Sequence, residues 1–175
     1  LYFLKGEAVY EVGRFEEAIL AYTQGGYETP KHDKSEESAY AALVAYNRMI
    51  DTAKTEEKSF WLERKVDSAL RYAMVYPQNK NTSQVLARAA DGLFSLGQFK
   101  RAVDVSASVL ARKDANAQQR SVANLIKAHS HFDLAQYELA ETSYLAALNS
   151  KQLKANDISA VNEKLAASIY KQAVA

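Results

Sequence analysis

Three short stretches decide how this chain is read: Gly13-Arg14-Phe15-Glu16-Glu17-Ala18, Gly97-Gln98-Phe99-Lys100-Arg101-Ala102 and Ala135-Gln136-Tyr137-Glu138-Leu139-Ala140. Each holds a small residue, an aromatic two positions on, and alanine three further. The second and third lie 38 residues apart. Seven positions before each stands another small residue, Gly6, Ala90 or Ala128, and one period beyond Ala128 falls Ala166. A fixed period of this size marks a repeat architecture. Its physical basis is the packing of two helices joined by a tight turn. Small residues at the crossing let the backbones approach, and the aromatic fills the wedge beside that contact. The glycine ahead of it makes the turn, where a strained or left-handed backbone is cheap only without a Cβ. Such a hairpin leaves one apolar face uncovered and is stable when stacked on neighbours.

The composition agrees with an all-α reading. Of 175 residues only 6 are glycine and 2 proline, and 48% are hydrophobic against 25% charged, the balance of a folded chain. Ala, Leu, Glu, Lys and Gln fill the long runs between turns, and these residues lose little rotamer freedom in a helix. Lys and Arg number 22 against 21 Asp and Glu, a net charge of +1. A nucleic-acid binder carries a dense basic stripe, and the nearest cluster, Arg64-Lys65 with Arg71, is too sparse for one. The absence of cysteine excludes disulfides, thiolate catalysis and Cys-based zinc sites. No run of about 18 apolar residues supports a membrane span. Leu1-Tyr2-Phe3-Leu4-Lys5-Gly6 lacks the length and the cationic lead of a signal peptide. Helical pattern runs to both ends, so the chain reads as a fragment of a longer protein.

The three stretches and their upstream partners resemble the tetratricopeptide repeat. Its paired small positions match Gly6 with Ala18, Ala90 with Ala102, and Ala128 with Ala140. Its two second-helix aromatics match Phe15, Phe99 and Tyr137, then Tyr22 and Tyr144, and its closing proline matches Pro30. The chain departs from the family at its tryptophan position, held by Tyr2, Leu86 and Asn124, and Ser106 replaces the second aromatic of the third unit. The resemblance implies an all-α, right-handed superhelix over 1–175, a solenoid of antiparallel helix pairs in one domain. Units fall near 1–30, 35–77, 82–114, 115–150 and 156–175. The predicted helix pairs are 1–12 with 15–25, 35–53 with 56–76, 82–96 with 99–112, and 115–133 with 137–149. A last helix covers 156–173, and Asp114 and Asn156 are the expected N-caps. Unit two is irregular: Val44 maps to Ala90 over 46 residues, so the extra length falls near 51–57, and its second helix stops at Pro77. The last helix carries the repeat's Leu165, Ala166 and Ile169 and reads as half of a further unit. The Tyr76-Pro77 ending also resembles repeat units of bacterial cell-envelope scaffolds, which points to the periplasm.

In the family the first helices line a concave groove that docks a peptide or partner subunit. The matching positions are Phe3, Glu7, Tyr10 and Glu11 in unit one, and Ala41, Ala45, Arg48 and Met49 in unit two. Unit three supplies Ala87, Asp91, Phe94 and Ser95, unit four Leu125, His129, Phe132 and Asp133, and the last helix Glu163, Ala167, Tyr170 and Lys171. One position is aromatic in four of five units: Tyr10, Phe94, Phe132 and Tyr170. It reads as a ladder gripping a partner or as rings packed between first helices. The Lys, Asn and Arg clamp that some members use for acidic tails is replaced by Ala87, Asp91, Leu125 and His129. The acids Glu7, Glu11, Asp91, Asp133 and Glu163 point to a basic or apolar partner.

The expected function is therefore a non-catalytic protein-binding scaffold without cofactor, metal or nucleic acid. The alternative is a structural module whose repeats self-associate as a homo-oligomer or brace an attached domain. His129 and His131 are two apart, whereas metal pairs on a helix prefer three or four. His32-Asp33 with Ser35 sits in a polar loop without the order of a triad. Gly25-Gly26 ends a helix and cradles no phosphate. The helix from Trp61 to Tyr72 is basic and apolar, a membrane-surface pattern broken by Glu63 and Asp67.

Overall fold

Helices follow one another through the whole of residues 1–174, which the computed structural model describes. They are α1 (Tyr2–Glu11), α2 (Phe15–Thr23), α3 (Ser35–Thr52), α4 (Thr55–Val75), α5 (Thr82–Ser95), α6 (Phe99–Ala111), α7 (Ala117–Asp133), α8 (Tyr137–Asn149) and α9 (Ala155–Ala173). No strand occurs among the described residues. The all-α expectation holds, and the predicted helices appear within a few residues of their expected limits. One difference lies after α2, which continues as a single π turn over Gln24–Glu28 and so carries Gly25-Gly26 inside it.

The repeated motif becomes a repeated turn. Gly13, Gly97 and Ala135 sit at φ of 79°, 71° and 57°, the left-handed region. At each turn two amides reach back to the preceding helix. Gly13, Gly97 and Ala135 donate to the carbonyls of Tyr10, Phe94 and Phe132, and Arg14, Gln98 and Gln136 donate to those of Val9, Leu93 and His131, all within 2.8–3.0 Å. This is the Schellman closure, which satisfies last-turn carbonyls and reverses the chain. The small residues at the crossing behave as the spacing implies. Ala18, Ala90, Ala102, Ala128 and Ala140 are each 0% exposed, and a Cβ on Gly6 would overlap the Tyr22 ring.

Two expected caps are corrected. Helix α7 starts from Asn116, whose Oδ1 accepts the Gln119 amide while Gln119 Oε1 accepts the Asn116 amide, each at 2.9 Å, a reciprocal capping box. Asp114 is held elsewhere: Ser83 Oγ donates to it at 2.9 Å, and Arg112 Nε and Nη2 donate at 3.0 and 2.9 Å. The Arg112 hydrogen bonds pull its carboxyl below the ordinary carboxylate range. Helix α9 starts after Lys154, which places Asn156 within the first turn.

The chain divides into two compact units, Leu1–Asn79 and Lys80 onward. In the first, consecutive helices α1 to α4 pack on one another, and Ala18, Ile19, Tyr22, Ala42, Ala45, Tyr46 and Trp61 form the core. In the second, α5 to α9 do the same. Helix α5 buries Val85, Leu86, Ala89, Ala90 and Leu93 on one face, the 3.6-residue period of a core-facing helix. Helix α9 covers Ala128, Ala140 and Tyr144 with Val161. The junction of α6 and α7 is closed by Arg120, which donates to the carbonyls of Leu110, Arg112 and Ala115 at 2.7, 2.5 and 3.1 Å. No described helix is long and apolar enough to cross a membrane.

Candidate functional site

The proposed groove positions divide into three groups once the side chains are in place. The first group is buried or tied to a buried tyrosine. Ala45 and Ala87 are buried. The Glu7 carboxylate accepts from the Tyr22 hydroxyl, and His129 Nδ1 meets the Tyr144 hydroxyl at 2.7 Å. Glu7 and His129 precede their tyrosines by the same 15 residues. One repeat position thus locks the first helix of a hairpin to the buried tyrosine of the second. Burial, together with Glu7, pushes the Tyr22 hydroxyl far above its usual range, and burial does the same to Tyr144. In the third unit the equivalent pair is Asp91 and Ser106. Serine is too short to reach: Asp91 is exposed, and the Ser106 hydroxyl is fully buried without a hydrogen-bond partner. A sequence comparison shows the substitution, and only side-chain packing shows that it orphans a hydroxyl.

The second group is the aromatic ladder. Three of its four rings pack on an aromatic five residues ahead, across the tight turn of their own hairpin. Tyr10 meets Phe15 at 5.4 Å, Phe94 meets Phe99 at 5.5 Å, and Phe132 meets Tyr137 at 5.5 Å. In the compact unit from Lys80 onward, Phe94 also touches His129 of the neighbouring first helix at 5.8 Å, and Lys164 of α9 lies 4.4 Å over Phe132. All three rings are half-buried. They are clasps with one face left to solvent, whereas Tyr170 on α9 is 68% exposed.

The third group is exposed and charged: Glu11, Arg48, Asp91 and Asp133. In the Leu1–Asn79 unit two of these converge on a clasp. Tyr10, Glu11, Gly13, Phe15 and Arg48 line a recess of about 370 Å³, and the Arg48 guanidinium lies 5.6 Å over the Phe15 ring. The rings form a fixed apolar floor, with an acid and a base on the rim. A related recess of about 330 Å³ sits at the Gly97 turn between α5 and α6, lined by Gly97, Gln98, Phe99, Lys100, Arg101 and Leu134. Phe15, Phe99 and Leu134 were not among the expected site residues. The signal that could have found the two phenylalanines is the constant five-residue step between ladder ring and second-helix ring.

The remaining motifs are structural in detail. His131 is buried, with Nδ1 on Gln136 Oε1 at 2.7 Å. Ser35 Oγ accepts the His32 amide at 3.0 Å, and His32 Nδ1 accepts the Lys34 amide at 3.1 Å. That imidazole is turned to backbone, so the loop closes the start of α3. Among the described residues no three His, Asp or Glu side chains gather as metal ligands. Comparison with protein-family models finds no match for the chain, and a search of the curated proteins finds none either.

Proposed function

We propose that the chain is a non-catalytic, tetratricopeptide-like scaffold that docks a peptide or partner subunit against the first helices of its hairpins. The observation that carries this reading is the Tyr10–Glu11–Phe15–Arg48 recess. Its floor is two rings held edge to face by their own hairpin, so little side-chain freedom is lost when a partner covers them. Glu11 and Arg48 rim it, and neither makes an ion pair among the described residues. An apolar side chain of a partner would lie on the rings while flanking charges meet Glu11 and Arg48. Aromatic and arginine groups so arranged are the usual carriers of interface energy.

The test is a pull-down with the intact protein against two variants, the triple Tyr10→Ala, Phe94→Ala, Phe132→Ala and the single Arg48→Glu. Loss of the same partner in both supports docking at the clasps. Unchanged recovery by variants that remain helical sinks it. Self-association is the second reading, favoured by Ile158, Ile169 and Tyr170 on α9, which are 39%, 49% and 68% exposed. A dimer in light scattering that dissociates in Ile169→Glu would favour it.

A further inference from the structure

A second concavity in the Leu1–Asn79 unit shares no residue with the recess above. It lies where the π turn after α2, the start of α3 and the last turns of α4 come together, and it measures about 240 Å³. Tyr27, Thr29, Lys31, Ser35, Arg71 and Tyr76 line it, with no carboxylate among its lining residues. The Arg71 guanidinium lies 4.1 Å over the Tyr27 ring, and Lys31 Nζ lies 6.0 Å over the Tyr76 ring. Those rings pack on each other at 6.0 Å, and the Tyr76 hydroxyl donates to the Gly26 carbonyl. The platform under both cations is therefore fixed.

The Tyr27 ring meets the Arg71 guanidinium from one side, and no described group accepts a hydrogen bond from it. Its N–H edges stay free, and they form the planar fork that matches the oxygens of carboxylate or phosphate. Neither Arg71 nor Lys31 makes an ion pair among the described residues. Ser35 Oγ accepts the His32 amide and donates to no described group. The nearest acids in sequence are Glu28, Asp33 and Glu36, with Asp67 one turn before Arg71 on α4. None of them lines the cleft, and Glu36 is engaged by Asn79 Nδ2. A cation near the end of α4 suits the helix dipole, but that does not explain a second cation facing the same cleft from the loop before α3.

We infer that this cleft binds an oxyanion, a carboxylate or phosphate group on a small molecule, gripped by the Arg71 fork and neutralised by Lys31. Its volume lies below the roughly 300 Å³ at which drug-sized pockets begin, so it takes one anionic group on a short stem. Calorimetric titration of the full chain with inorganic phosphate, and separately with succinate, tests this. Saturable binding of at least one is expected, weakened about tenfold in Arg71→Gln, less in Lys31→Gln, and unchanged in Arg88→Gln, an exposed arginine of α5. Saturation by phosphate alone assigns a phosphate ligand, and by succinate alone a carboxylate. No saturable binding of either up to about 10 mM, or equal affinity in wild type and Arg71→Gln, overturns the inference. Should Arg71→Gln fail to fold, Lys31→Gln carries the same comparison, because Lys31 is exposed.

Discussion

At the scale of single residues, the three turns form a natural experiment on one backbone conformation. Gly13, Gly97 and Ala135 share a left-handed φ and the same pair of amide bonds, but only Ala135 carries a Cβ. A left-handed alanine costs about 1–2 kcal/mol, and glycine returns part of that by loosening the unfolded chain. Ala135→Gly should therefore stabilise by about 0.5–1 kcal/mol, and Gly97→Ala should destabilise by a similar amount. A Cβ at Gly97 meets no atom within 4 Å, so urea midpoints of these variants report conformation without steric overlap. His129 gives a pH dependence. Burial, and then Lys164, push its imidazole below the ordinary 6.5, with Asp133 opposing. Between the lowered value and 6.5 the unfolded chain holds more protons than the folded one. Stability thus rises with pH across that window and is lost as pH falls through it. The urea midpoint should be lower at pH 5.5 than at 7.5. The difference should shrink in His129→Gln, and a difference that persists there would remove His129 as its cause.

At the scale of elements, the helices are stopped and started by backbone accounting. The last carbonyls of α6 have no partner within the helix. Arg120, a turn into α7, supplies three donors to them and to the linker. Its role depends on a planar fork with several N–H groups, which an ammonium does not reproduce. Arg120→Met should cost about 2–3 kcal/mol, since hydrogen bonds from a charged donor are lost and half-buried carbonyls are left bare. Arg120→Lys should recover less than half of that in the same denaturation measurement. Full recovery by lysine would show that charge, not geometry, closes the junction. Helix α4 shows the opposite kind of end: it stops at Val75 because Pro77 pushes Tyr76 out of helical backbone, to φ −121°.

At the scale of the molecule, contacts run mainly between helices adjacent in sequence. Local contacts require little loop closure before they are rewarded, which is why helical proteins of this kind fold in microseconds to milliseconds. Far-UV circular dichroism should read about 80% helix, and stopped-flow refolding of the bulk signal should finish within tens of milliseconds. A dominant phase of seconds would contradict that local ordering. With a net charge of +1, long-range repulsion does little to keep copies apart, so the exposed apolar side chains of α9 make oligomeric state the informative property of the whole chain.

The sequence by itself determined the helices and their turns. Helix propensity, the proline stop and the small-x-aromatic-x-x-Ala spacing are local, and local backbone preferences survive whatever packs outside them. It also marked Gly6, Ala90 and Ala128 as crossing points, because only small residues let two helices approach. What only the tertiary structure decided was the direction and partnership of polar and aromatic side chains. The groove positions Glu7 and His129 are tied to tyrosines 15 residues away, three ladder rings clasp their own hairpins, and Asp114 serves Arg112 and Ser83 instead of capping α7. Arg120, Arg71 and Lys31 carried no motif at all. Long side chains choose their partners by reach and desolvation among groups distant in sequence, and those distances exist only once the helices have packed.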